Sequence, residues 1–268
     1  MRALILSDIH ANLEALQAVL AAATGQWDEL WNLGDLVGYG GSPNEVIDVI
    51  RPLQTLVVRG NHDRVCCGLT SPNAFNPTAR TAANWTRTAL TEENLTWLRE
   101  LPKGPVHPTQ TGVNCVHGSP LDEDSYILTM RDAWAPLQQM STPITFFGHT
   151  HIQGGFSQKE HDWHELRPYN HPANPNDPNA YPGDPNQPIS YTITLPPGTR
   201  HLLNPGSVGQ PRDRDWRAAF AIFNSEPEGI EGQTITFNRV PYDLVLSQSR
   251  ILAAGLPDRL ASRLREGR

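Results

Sequence analysis

Five short apolar runs in this chain each break off at a side chain able to bind a metal ion. Residues 3–6 lead to Asp8 and His10, residues 29–33 to Gly34-Asp35, and residues 55–59 to Gly60-Asn61-His62-Asp63. Residues 113–116 lead to His117-Gly118 and residues 144–147 to Gly148-His149-Thr150-His151. Apolar runs of this length that stop at a loop are the pattern of buried strands. Between the first three, Asn12 can cap a helix reaching to about residue 23, with Leu13, Leu16, Val19 and Leu20 on one face. Ser42 and Pro43 supply the start of a second helix through residue 50. The resulting βαβαβ alternation requires a largely parallel sheet. The carboxyl ends of parallel strands lie along one edge, so five ligand-bearing loops can converge on one place.

Further helices are predicted over residues 78–88 and 91–101, the second opened by Thr91 with Glu92 and Glu93 in its first turn. Beyond His151 the pattern changes to short strands, at about residues 152–157, 163–166, 189–194, 201–204, 218–224 and 232–239. Residues 243–265 read as helical, broken near residues 255–257. Residues 167–188 are too rich in proline and asparagine for a helix or a central strand, and are expected to form an extended loop inserted between two strands. The whole chain of 268 residues is expected to be one domain, long enough for a substantial core.

Composition narrows the function classes. The net charge is -7 and there is no run of Lys or Arg, which argues against general nucleic-acid binding but not against a small phosphorylated substrate. No stretch approaches the ~18 apolar residues of a membrane span, and the first apolar run is too short for a signal peptide. The three cysteines, Cys66, Cys67 and Cys115, form no CxxC pair and fit a reducing, cytoplasmic setting. Cys115 reads as core.

The candidate ligands are Asp8, His10, Asp35, Asn61, His62, His117, His149 and His151. Together they suit two adjacent divalent metals, with one carboxylate able to bridge. The pairs Asp8/His10 and His149/His151 are two residues apart, so in an extended loop each pair points the same way. Nitrogen and oxygen donors without a thiolate fit Mn, Fe, Zn, Ni or Co better than Ca, or Mg alone. Cellular availability favours Mn or Fe. A dinuclear centre of this kind attracts a phosphate, acidifies a bound water to give a hydroxide nucleophile, and stabilises charge on the phosphoryl oxygens.

The order Asp-x-His, Gly-Asp, Gly-Asn-His-Asp, His-Gly and Gly-His-x-His resembles the signature of the calcineurin-like metallophosphoesterase superfamily. Residues 8–16, 34–40 and 204–212 look like its small prokaryotic branch of YfcE-type phosphodiesterases, and the resemblance covers about residues 1–240. It implies an α/β fold with two mixed β-sheets flanked by helices, a four-layer αββα sandwich. It also implies that Asp8, His10, Asp35 and His151 hold one metal, that Asp35 bridges to a second held by Asn61, His117 and His149, and that His62 faces the leaving group. The activity implied is hydrolysis of a phosphodiester or phosphomonoester of a small compound such as a nucleotide.

Alternatives remain at this stage. A protein Ser/Thr phosphatase would carry Asp-Arg-Gly after the second motif, where this chain has Val37-Gly38-Tyr39-Gly40, and Ala11 replaces the glycine usual after the first. A dinucleoside polyphosphate hydrolase shares the motifs, and a non-catalytic scaffold would have lost ligands that are all present here. A homo-oligomer is compatible with the sequence. Asp63 can orient His62, cap a helix or form a salt bridge. Arg212 can meet a phosphate oxygen or pair with Asp213 or Asp215. Tyr39, between glycines, is expected to be an exposed aromatic near the pocket. Gly206-Ser207 is expected to shape a loop beneath the site, and Asn204 and Ser119 are further polar candidates.

Overall fold

The first strand, β1 (Arg2–Leu6), shows how the sequence builds layers. Successive side chains of a strand point to opposite faces. Leu4 and Leu6 therefore pack into a helix-facing core, while Ala3 and Ile5 pack into a second core on the other side. A strand buried on both faces must be continuously apolar, as this one is. The fold was read from a computed structural model, which describes residues 1–53, 56–108, 112–167, 184–226 and 232–268.

The predicted alternation is present. Strand β1 is followed by α1 (Leu13–Ala22), β2 (Glu29–Asn32), α2 (Pro43–Ile50) and β3 (Leu56–Val57). Asn12 caps α1 by accepting from the Ala15 N–H at 3.2 Å. The chain continues through α3 (Asn61–Cys66), α4 (Pro77–Ala89), α5 (Glu92–Glu100), β4 (Val113–Cys115), α6 (Met130–Gln139) and β5 (Ile144–Phe146). It then forms β6 (Gly154–Lys159), β7 (Asp162–Leu166), β8 (Ile189–Leu195), β9 (Arg200–Asn204), β10 (Ala218–Asn224) and β11 (Gln233–Val240). Helices α7 (Leu244–Ala253) and α8 (Asp258–Glu266) close it.

Two mixed sheets result. The first has the order β3-β2-β1-β10-β11-β8, with β1, β2 and β3 parallel and the rest antiparallel. The second has the order β4-β5-β9-β6-β7, with β4, β5 and β9 parallel. Each sheet thus contributes three parallel strands. Trp31, Phe146, Phe223 and Phe237 fill the layer between the sheets together with Cys115, which is core as expected. Helices α1 to α5 cover the outer face of the first sheet, where Cys66 and Cys67 are also buried. Helix α6 packs its Ala133 and Leu137 on Phe156 and Leu202 of the second sheet. The expected four layers are therefore observed, with one flank much thinner in helices than the other among the described residues.

Two helices escape the sequence pattern. Helix α3 is only six residues long, too short to show a 3.6-residue period, and starts at the Asn61 that the sequence places in a loop. Helix α6 contains Pro136, which discourages a helical reading, yet Thr129 and Asp132 form a capping box that starts it. The proline-rich segment does lie between two strands, β7 and β8, but residues 168–183 fall outside the described residues.

Phe146 tests the inter-sheet layer. It is fully buried, with ring centroids 5.5 Å from Phe223 and 6.1 Å from Trp31. Phe146→Ala should lower stability by about 3–5 kcal/mol in denaturant titration. A loss below about 1 kcal/mol would mean that the two sheets do not pack as described.

Candidate metal centre

All six parallel strands deliver their carboxyl ends to one place. Past the end of β1, the backbone pairing with β2 continues into the loops: Asp8 N–H donates to Gly34 carbonyl at 2.9 Å and His10 N–H to Asp35 carbonyl at 2.9 Å. In the second sheet, Gly148 N–H donates to His117 carbonyl at 2.7 Å. The sheets are joined at this edge by Gly209 N–H donating to Asp8 carbonyl at 3.0 Å, and by Ser207 hydroxyl donating to the same oxygen at 2.7 Å. A side chain at Gly209 would run into the Ile9 carbonyl, so the close approach requires glycine.

The two residue pairs do not converge through extended loops, as spacing suggested. Asp8, His10, Asp35, His149 and His151 all have left-handed backbone, with φ of 53, 50, 55, 65 and 61°. Such conformations are costly for residues with a Cβ and persist only where surroundings enforce them. Asp8, His10 and Asp35 sit in the strand-end network just described, His149 N–H donates to Asp8 Oδ2 at 3.0 Å, and His151 carbonyl accepts from Arg212 N–H at 3.1 Å.

The outcome is a buried cluster. One ligand atom each from Asp8, His10, Asp35 and His151 lies within 4.8 Å of the others, and so do those of Asp35, His117 and His149. All six residues are buried. Asp35 belongs to both groups: its Oδ2 is 3.6 Å from His10 Nε2 and 3.5 Å from His117 Nε2, while its Oδ1 accepts the His62 backbone N–H at 2.8 Å. Asn61 Oδ1 lies 3.1 Å from His117 Nε2. Seven sequence-predicted ligands are therefore together, with His62 beside them.

The orientation of the rings makes this cluster suited to cations. His10 Nδ1 donates to Val37 carbonyl at 3.1 Å, and His151 Nδ1 to Gln210 carbonyl at 2.5 Å. A carbonyl can only accept, so in both rings Nδ1 carries the proton and Nε2 presents a lone pair. Those two Nε2 atoms face each other at 3.1 Å, and Asp8 Oδ1, 3.2 Å from His151 Nε2, has no hydrogen-bond partner. His117 Nδ1 donates to Leu33 carbonyl at 2.8 Å, and His149 Nε2 to Asp124 carbonyl at 3.1 Å, which leaves His117 Nε2 and His149 Nδ1 as the inward atoms. Around Asp8, His10 and His151, lone pairs and a bare carboxylate oxygen crowd together without a donor, which fits a divalent cation; in the other half His117 Nε2 faces Asp35 and Asn61.

Electrostatics agree. Burial lowers the pKa of His10 and His151, and takes His149 down to about 4 and His62 to about 3, so these rings are neutral at pH 7. Burial also works against protonation of His117, but Asp35 and Asp8 outweigh it and carry His117 up to about 10. Burial alone would raise Asp8 and Asp35, yet His151 and His117 respectively hold them below the usual carboxylate range. The His117 proton stands where a metal ion would give the same compensation.

Asp63 is a positioning group, as a cap. Its carboxylate accepts from the backbone N–H of Asp35 at 2.8 Å, Gly60 at 3.0 Å and Val37 at 3.2 Å, tying the second ligand loop to the start of α3. Burial and the Asp35 charge push it up to about 7 against those three donors. It does not hold the His62 ring, whose Nδ1 packs against Gly38 without a partner. That ring is wedged between Tyr39 at 4.3 Å and Phe75 at 4.5 Å. Tyr39 is at the site but is only 6% exposed, contrary to the expectation of an exposed aromatic: Arg263 covers it from α8.

Of the remaining candidates, Ser207 also accepts from Gln210 N–H, and Asn204 donates to Gly148 carbonyl and Thr150 hydroxyl, so both shape loops. Ser119 belongs to a turn with Asp122. Arg212 makes no ion pair with its acidic neighbours in sequence, since Asp213 pairs with Arg239 and Asp215 with Arg217. Sequence reasoning missed Ser7, which donates to Asp8 Oδ2 at 2.6 Å, and Tyr126, which stacks on His149 at 4.0 Å. Ser7 adjoins a ligand and was within reach of a sequence reading; Tyr126 carries no signal in its surroundings.

Comparison with known proteins places this geometry. Residues 1–227 match the calcineurin-like phosphoesterase superfamily domain. An uncharacterised protein of Methanocaldococcus jannaschii, MJ0912, is 33% identical over 267 residues, spanning 98% of this chain and 97% of that protein. A crystal structure of a metallophosphoesterase from Sphaerobacter thermophilus is similar with a TM-score of 0.79 and 37% identity, covering 100% of both chains. The hypothetical protein PH1004 from Pyrococcus horikoshii shares the fold, with a TM-score of 0.71 and 20% identity over 100% of this chain and 98% of that one.

Two measurements check the site. His117 must lose its proton to ligate, so metal binding at pH 8 should release about one proton or more per chain, read by calorimetry in buffers of different ionisation enthalpy. Binding without proton release would contradict the assigned protonation. In metal-free protein, the unfolded chain protonates its histidines below pH ~6.5 while the folded rings stay neutral, so stability should fall as pH drops toward 4. Asp63 opposes this by only one proton. A thermal midpoint unchanged between pH ~7 and ~5 would show that these rings are not buried neutral.

Proposed function

The chain belongs to the calcineurin-like phosphoesterase superfamily, and on that premise we propose that it is a metal-dependent phosphoric ester hydrolase acting on a small phosphorylated compound. The observation that carries this reading is the Asp35 carboxylate shared by two imidazole clusters. One divalent ion would be held by Asp8, His10, Asp35 and His151, and a second by Asp35, Asn61, His117 and His149. Mn or Fe suits this donor set. When bound, such ions supply Lewis acidity toward a phosphoryl oxygen and make water more acidic.

The protein's own groups do the rest. The carbonyls of Val37, Gln210, Leu33 and Asp124 fix which ring nitrogen faces inward. Asn61 offers a neutral oxygen that leaves the net positive charge undiminished. His62, neutral and buried, holds an N–H for the leaving oxygen. Its low pKa reflects burial first, with the Arg212 charge adding to it against Asp35. A phosphate anion brought alongside reverses that bias and favours the protonated ring. Arg212 is a cation for the phosphoryl oxygens. A non-catalytic scaffold is a weaker reading, because every ligand position is filled and oriented.

Protein supplied with Mn²⁺ should bind about two metal ions per chain and hydrolyse bis-p-nitrophenyl phosphate or p-nitrophenyl phosphate. Asp35→Asn should lose metal and activity together. His62→Ala should keep its metal and lose about 10²–10⁴-fold in kcat on an ester with a poor leaving group, and less on a nitrophenyl ester. Metal-replete protein inert toward a broad panel of phosphate esters would overturn the enzyme reading.

A further inference from the structure

Helices α7 and α8 lie beyond the residues that match the superfamily domain, yet α8 reaches the site. Leu260, Ala261 and Leu264 seat α8 in a small core that also contains Tyr39. From that helix Arg263 extends its guanidinium over the Tyr39 ring, 4.5 Å from the centroid. His10 and His62 pack on the same tyrosine, at 4.7 and 4.3 Å between ring centroids. Arg212 approaches as well, 5.9 Å from the Tyr39 centroid.

Neither arginine has a carboxylate within ion-pair distance among the described residues. Their nearest acidic neighbours in sequence are engaged elsewhere: Asp213 with Arg239, Asp215 with Arg217, and Glu266 with Arg259. Instead both guanidinium groups share one neutral acceptor, Gln210 Oε1, at 3.2 Å from Arg212 and 2.6 Å from Arg263. Arg263 Nε is buried and has no partner. Burial takes the Arg263 pKa down to about 10, with the Arg212 charge adding to it against Tyr39. Two partly desolvated like charges held together without a counter-ion form an anion site.

We infer that Arg263, with Arg212, binds a second phosphoryl group of the substrate, next to the one held at the metal centre. This rests on the phosphoesterase reading. A lone phosphate is already matched by the charge of a dinuclear centre, so a further cation pair beside it selects a polyanion, such as a diphosphate or a nucleoside polyphosphate, over a singly phosphorylated compound. The guanidinium fork presents paired N–H donors to phosphoryl oxygens, and the Tyr39 face holds it in plane. Arg263 is thereby a specificity residue, contributed by a segment outside the catalytic motifs.

The test is calorimetric titration of protein loaded with Mn²⁺ and freed of excess metal, using inorganic pyrophosphate and orthophosphate. The wild type should bind pyrophosphate at least about 10-fold more tightly than orthophosphate, and Arg263→Gln should shrink that ratio to below about 3-fold. Arg263→Lys, which keeps the charge but loses the fork, should fall between. An equal ratio in wild type and Arg263→Gln overturns the inference, as does a wild-type ratio near one, which needs no variant. Should Arg263→Gln fail to fold, an unchanged ratio in Arg263→Lys overturns it and a reduced one supports it. Turnover of p-nitrophenyl esters by the same preparation separates the two readings. If esters are cleaved while the ratio is flat, only the second-phosphate site fails; if nothing is cleaved, the enzyme reading fails.

Discussion

Asp35 is a fully buried carboxylate whose two oxygens have different duties. One accepts the backbone N–H that begins α3; the other lies between His10 of the first motif and His117 of the second sheet. Burial of an ionised carboxylate is tolerated only with close compensation. In the protein without metal that compensation comes from the raised pKa of His117. Both sheets therefore have to arrive at the same point, and the inter-sheet packing of Trp31, Phe146 and Phe223 is what brings them there. Core and site are one construction: the packed layer sets the distance between sheets, and that distance sets the separation of the two ligand clusters.

The second dependency is backbone conformation. Five candidate ligand residues take up left-handed φ, which local sequence preferences disfavour. The loops are held in this form by hydrogen bonds that run across the edge: Asp63 to three backbone N–H groups, Ser207 to Asp8 carbonyl, Asn204 to Gly148 carbonyl. Each of these side chains is buried. Conformational cost at the ligands and buried polar networks around them are parts of the same arrangement.

Much was legible beforehand. The βαβαβ start and the clustering of the candidate ligands follow from motifs that sit at strand ends, and the order of those motifs carried the superfamily resemblance that implied two mixed sheets. Other features were not legible for identifiable reasons. Helix α3 is too short for periodicity, and α6 hides behind Pro136. Tyr39 between glycines looked exposed because nothing nearby in sequence covers it; its cover is Arg263, more than two hundred residues away. Asp63 could have held His62 or capped the helix, and only the three N–H groups aimed at its oxygens decided for the cap.

Strand polarity and chain order are local properties, so the amino-acid sequence alone placed the candidate ligands in loops at the carboxyl ends of parallel strands; that two sheets bring those loops together was decided by packing. Which nitrogen of each imidazole faces inward, which carboxylate oxygen is left bare, and which arginines lack counter-ions were decided by tertiary structure. Those properties depend on carbonyls and carboxylates brought in from distant segments: Gln210 for His151, Leu33 for His117, Asp213 for Arg239. No window of sequence contains both partners of any such pair, so their geometry exists only once the sheets have packed.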